Sequence, residues 1–105
     1  MPNQPQSQKL QIGLAGLGKF GSQHAEILAQ CPEIELSAMC DTDASALRRQ
    51  LQKHSQSRGY QSFEDFIADP RLDAIVIVTP EHLHHQQALA AIRTGRPVLL
   101  EKPMA

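Results

Sequence analysis

Three glycines, one acid and one lysine are the residues of this 105-residue chain best placed to do chemistry. Gly16, Gly18 and Gly21 form the run GLGKFG. Where a strand turns into a helix, that spacing suits a pyrophosphate. Gly16 permits the tight turn. Gly18 lacks the Cβ that would keep a phosphate off the backbone, and Gly21 lets the helix approach the strand. The amides of Lys19 and Phe20 then face the phosphates with the helix dipole behind them. Asp41 follows Gly21 by 20 residues. A carboxylate at that distance, closing the next strand, accepts hydrogen bonds from ribose hydroxyls and repels a 2′-phosphate, so NAD is expected over NADP. The plainer use of Asp41 is to cap the following helix, a task Asp43 could share. Arg48 and Arg49 lie further along that helix than phosphate recognition would ask. Lys102 closes the last strand, on the edge where open α/β sheets bind ligands. A lysine there could hold a substrate hydroxyl or trade its proton, the alternative being a solvated surface lysine.

Other tempting residues carry less. In HLHH only His82 and His85 share a helical face, and no acidic third ligand follows, so no metal site is expected. His24 falls on an apolar stripe and reads as a hydrogen-bonded packing residue. Cys31 and Cys40 lack a CxxC spacing and read as reduced thiols.

Positioning these residues requires alternating strands and helices. LQIGLAG is a first strand, with Leu10, Ile12 and Leu14 on one face and the small Gly13 and Ala15 on the other. The next helix carries Phe20, His24, Ile27, Leu28 and Cys31 on one stripe, and Pro32 stops it. IELSAMC is a second strand. Asp43 then caps a helix with Ala44, Leu47, Leu51 and His54 inward. Residues 59–61 suit a very short strand, and Ser62 with Asp65 a capping box ahead of a short helix that ends by Pro70. AIVIV is apolar on both faces, as a central parallel strand must be. Thr79 is expected as the next N-cap with Pro80 at the first helical position. Gly95 closes that helix, and VLLE is the last strand. The resulting βαβαβαβαβ pattern predicts a doubly wound α/β parallel sheet of order 3-2-1-4-5 over residues 9–105, ending after the fifth strand. Residues 1–8 read as a disordered tail.

Composition removes several classes of function. The net charge is −1, which gives no support for nucleic acid or an anionic membrane surface as partner. No apolar run approaches the roughly 20 residues of a membrane span. MPNQPQSQ lacks the features of a secretory signal, so a cytoplasmic location is the default expectation.

Taken together, GLGKFG, Asp41, TPEHLHHQQALAAIRTG and VLLEKPMA resemble the N-terminal domain of the Gfo/Idh/MocA oxidoreductases, the family of glucose-fructose oxidoreductase and inositol dehydrogenase. The match runs from about Lys9 to Ala105. The resemblance implies that Thr79 and Pro80 line the cofactor near its nicotinamide half and that His84 lies close by. It implies that Glu101 approaches the nicotinamide ribose, that Lys102 contacts the substrate hydroxyl, and that Pro103 fixes the turn. Glu81 stands where the family often has Asn. In the family an acid and a histidine from a second α/β domain complete the catalytic constellation. The resemblance thus implies the NAD-binding part of a dehydrogenase for a sugar, cyclitol or related polyol, with no turnover expected from these residues alone. A stand-alone dinucleotide-binding or sensor module is the alternative, and a Rossmann domain for S-adenosylmethionine a third. An unpaired edge at the fifth strand leads us to expect low stability or self-association.

Overall fold

The computed structural model describes residues 9–101. The expectations placed on the 1–8 tail, Lys102 and Pro103 lie outside the described residues. Nine elements alternate along the chain: β1 (Leu10–Ala15), α1 (Lys19–Gln30), β2 (Ile34–Cys40), α2 (Ala44–Lys53), β3 (Arg58–Tyr60), α3 (Phe63–Ile67), β4 (Ala74–Ile77), α4 (Glu81–Ile92) and β5 (Val98–Leu100). The strands pair in parallel in the order β3-β2-β1-β4-β5, as the sequence pattern predicts.

The three inner strands, β1, β2 and β4, share their side chains between two cores. Ile12, Leu14, Leu36, Met39, Val76 and Val78 meet Ala25, Leu28, Ala46 and Leu47 from α1 and α2. Ala15, Ala38, Ile75 and Ile77 meet Phe66 of α3 and Ala91 of α4 on the other face. β4 contributes to both layers, which is why its run lacks polar alternation. Among the described residues β5 pairs with β4 alone, and Leu99 and Leu100 at this edge are exposed.

Local chemistry sets most boundaries. Asp43 caps α2 by accepting from the amides of Ser45 and Ala46. Ser62 caps α3 through the amide of Asp65. Gly95 closes the α4 turn at φ +85°, a left-handed geometry that suits glycine.

Three helical details differ from the pattern. Ile27 is 66% exposed, and α1 buries Gly21 and Ala25 instead. The backbone contact between Gly21 and Gly16 fixes the rotation of α1 about its axis, and that contact outranks apolar periodicity. In α2, Ala44 is exposed while Ala46, Leu47 and Gln50 are buried. Ahead of α4, Pro80 is itself the N-cap, in extended geometry at ψ 151°, and the helix begins at Glu81. Thr79 caps nothing: its hydroxyl donates to Gln87 Oε1 at 2.5 Å.

The edge of the sheet away from the glycine turn is held by ions. The Asp69 carboxylate accepts from Arg58 Nε and the Tyr60 hydroxyl, each at 2.8 Å, and from the amide and guanidinium of Arg71. Arg96 donates to the carbonyls of Leu72, Ile67 and Asp69. These bonds lock the α3–β4 and α4–β5 connections together. Burial pushes the Asp69 carboxyl up, but the hydrogen bonds from Arg71, Tyr60 and Arg58 outweigh it and hold the group well below the usual carboxylate range. A depressed folded-state value stabilises the fold above the unfolded value, and that contribution fades as pH falls through the folded one. We therefore expect Asp69→Asn to lower unfolding free energy in urea by about 2–3 kcal/mol at neutral pH. The gap to wild type should narrow as pH falls below about 4. A pH-independent gap would contradict this assignment.

Candidate dinucleotide cleft

The carboxyl ends of β1, β2 and β4 open onto one cavity of about 830 Å³. That volume lies within the range of small-molecule pockets. The whole 16–21 turn lines it, together with Asp41, Thr79 and Pro80. Eight of the expected cofactor residues therefore meet at one place: Gly16, Gly18, Lys19, Phe20, Gly21, Asp41, Thr79 and Pro80.

The turn is built from contacts that admit no side chain at two of its glycines. Gly16 has φ +98°, and a Cβ there would come within 2.9 Å of the Thr79 amide nitrogen. A Cβ on Gly21 would sit 1.8 Å from the Gly16 carbonyl oxygen. Gly18 is different. Its φ of −72° and ψ of −157° are extended geometry open to any residue. A Cβ there would meet nothing within 4 Å. The fold itself makes no demand for glycine at 18. A ligand lying against the backbone would, which fits a pyrophosphate at this position.

α1 begins at Lys19 with no acidic side chain in its first turn and no side-chain cap. The amides of Lys19, Phe20 and Gly21 have no intrahelical acceptor, and the positive end of the helix dipole faces the cavity. Leu17 anchors the turn by burying its side chain in the core.

Asp41 binds the turn to β2. Oδ2 accepts from the Leu17 amide at 2.7 Å and Oδ1 from the Asp43 amide at 2.8 Å. Capping of α2 falls to Asp43 instead. A carboxylate has about four acceptor sites, so Asp41 retains capacity for hydroxyl donors. Beside it Cys40 is buried, and burial, with the Asp41 charge second, pushes its thiol up to about 12. The thiol is therefore protonated and chemically quiet at neutral pH.

His84 and Glu101 do not line the cavity. His84 is buried on the inner face of α4, and neither ring nitrogen has a partner among the described residues. Glu101 follows β5, donates its amide to the Ile77 carbonyl at 2.9 Å, and stands 3.6 Å from His24 Nε2.

Sequence reasoning missed several lining residues. Thr42, Phe63, Leu83 and Gln87 share the cavity, as does Arg49, which the pattern places out of reach. The Ser62 cap was a usable signal for Phe63, since it opens α3 at the same sheet edge. Gln87 lies two turns into α4 and comes to the site only through its bond with Thr79, which spacing does not reveal.

Gly21 and Gly18 make opposite predictions. Gly21→Ala should cost about 3 kcal/mol of unfolding free energy. Gly18→Ala should leave that energy within about 0.5 kcal/mol of wild type, yet weaken dinucleotide binding about tenfold or more. Urea unfolding and calorimetric titration check both. A strongly destabilised Gly18→Ala would show that the fold, not a ligand, requires that glycine.

The known proteins that this chain resembles agree with the cleft. Residues 10–105 match the Gfo/Idh/MocA oxidoreductase family profile, described as an NAD-binding Rossmann fold. The myo-inositol 2-dehydrogenase of Thermotoga maritima is 29% identical over 91% of this chain and 29% of its own length. The inositol 2-dehydrogenase of Rubrobacter xylanophilus is 33% identical over 94% of this chain and 28% of its own. Among solved structures, the WlbA dehydrogenase of Bordetella pertussis in complex with NADH and UDP-GlcNAcA is 37% identical, with a TM-score of 0.83, over 92% of this chain and 30% of that one. The chain thus spans less than a third of the length of these relatives. It belongs to the Gfo/Idh/MocA oxidoreductase family and comprises the NAD-binding Rossmann part of it.

Proposed function

We propose that this chain binds NAD in the cleft above β1, β2 and β4, and that within a longer polypeptide it forms the cofactor side of a dehydrogenase for a cyclitol or sugar hydroxyl. The observation that carries the reading is the open space at Gly18, a glycine that the surrounding protein does not need. The first-turn amides of α1 hold the pyrophosphate, and Lys19 adds charge beside it. Asp41 accepts from the hydroxyls of the adenosine ribose while keeping its bond to the Leu17 amide. Thr79 and Pro80 line the side toward the nicotinamide. His84 and Glu101 serve the same half, His84 from beneath α4 and Glu101 from the end of β5.

When bound, NAD supplies the acceptor for a hydride from a carbinol carbon. The chain's own contribution to that chemistry is Lys102. As a neutral amine, its usual pKa lowered by burial or by the positive nicotinamide, it would contact the substrate hydroxyl and take up its proton as the carbonyl forms. The inositol dehydrogenases among the relatives, and a scyllo-inositol dehydrogenase from Lactobacillus casei solved with NAD(H) and scyllo-inositol, support a polyol as substrate class. A partner region must supply the opposite wall of the substrate site.

NAD is favoured over NADP because the Asp41 carboxylate, in accepting from the ribose hydroxyls, would repel a 2′-phosphate. Arg49 lines the cavity but belongs to the second turn of α2, beyond the capped first turn. Isothermal titration should give saturable NAD binding and weaker NADP binding. Asp41→Ala should reduce NAD affinity about five- to tenfold and narrow the preference. No heat at millimolar NAD, with the fold confirmed by circular dichroism, would overturn the assignment. Tighter NADP binding would overturn the preference alone.

A further inference from the structure

His24 is a polar residue of α1 that cofactor binding leaves unused, and its surroundings are specific. Nδ1 lies 2.8 Å from the Phe20 carbonyl oxygen. A carbonyl only accepts, so Nδ1 carries a hydrogen in that contact. Nε2 then points away from the helix turn and stands 3.6 Å from Glu101 Oε1. Only the imidazolium places an N–H toward that carboxylate, so the attractive form of the pair is an ion pair. The two side chains are 29% and 43% exposed, which leaves the contact partly shielded from solvent.

Glu101 is held on two sides. Its amide donates to the Ile77 carbonyl, which extends the β4–β5 pairing one residue past the strand. Its carboxylate reaches α1 on the other side. Among the described residues, β5 has three residues and one neighbouring strand, β4. The residue that anchors His24 is Phe20, whose amide belongs to the first turn of the same helix. A single imidazole therefore links the phosphate-binding turn to the end of β5.

We propose that His24 is a positioning residue for Glu101, holding its carboxylate at the nicotinamide half of the bound dinucleotide. This rests on the dinucleotide reading above. It is a positioning role because His24 acts through Glu101 and does not line the cavity.

The test compares NAD with ADP, which has the pyrophosphate and adenosine but lacks the nicotinamide ribose. Both are titrated calorimetrically into wild type, His24→Gln, Glu101→Gln and the double variant. His24→Gln should weaken NAD about two- to fivefold, the scale of a partly exposed ion pair, and leave ADP unchanged. Glu101→Gln should do the same, and the double variant should be no weaker than the weaker single one. Equal losses for ADP and NAD would reduce His24 to a packing residue of the phosphate turn and overturn the proposal. Unchanged NAD affinity, or additive losses, would also overturn it. If His24→Gln fails to fold, His24→Asn takes its place, and NAD affinity equal to wild type in that variant overturns the proposal. A wild-type chain that bound ADP but showed no gain for NAD would refute the nicotinamide role of Glu101. One that bound neither would refute the dinucleotide reading first and this role with it.

Discussion

The approach of α1 to the end of β1 is the constraint on which the structure depends. Gly16 and Gly21 bring two backbones so close that neither position tolerates a Cβ. The same contact sets the rotation of α1, which turns Ala25 inward and leaves Ile27 in solvent. It also aims the first-turn amides of α1 at the cavity instead of into the core. The Gly16 amide bonds the Cys40 carbonyl at 2.9 Å, and the Leu17 amide bonds Asp41. One turn therefore sets the ends of β1 and β2 and the start of α1 together, and the cavity is the space left above them.

The two edges of the sheet are built differently. At the far edge, polar groups are consumed: Asp69 and Arg96 spend their hydrogen bonds on neighbouring loops. At the cofactor edge they are held ready. The α1 amides have no intrahelical acceptor, and Asp41 uses part of its acceptor capacity. Buried polar groups are normally satisfied. His84, with neither ring nitrogen paired among the described residues, is an exception, as are His54 Nε2 and Arg58 Nη2. A stabilising network on one edge lets the other keep unsatisfied groups without loss of the fold.

Much of this was legible in the sequence because local rules and global topology agree. Turn residues, caps and apolar runs fix the five strands and their order, and GLGKFG with Asp41 locates the cleft. What was not legible depends on contacts distant in the chain. On α1 a backbone contact turns Ile27 out of the stripe, while Phe20 and Leu28 stay against the core. Thr79 looks like a cap by residue type, but Gln87 takes its hydroxyl. His24 looks like packing until β5 brings Glu101 beside it. Arg49, Phe63 and Leu83 reach the cavity through the sheet's layering, which spacing alone cannot give.

The central claim is that the glycine turn and Asp41 hold a dinucleotide. Amide chemical shifts of the isotopically labelled chain, followed during titration with NAD, test it most directly. The account predicts that the largest shifts fall on residues 17–21 and 41, with smaller ones at Thr79. Shifts concentrated at the Asp69 edge, or none at saturating NAD, would contradict it.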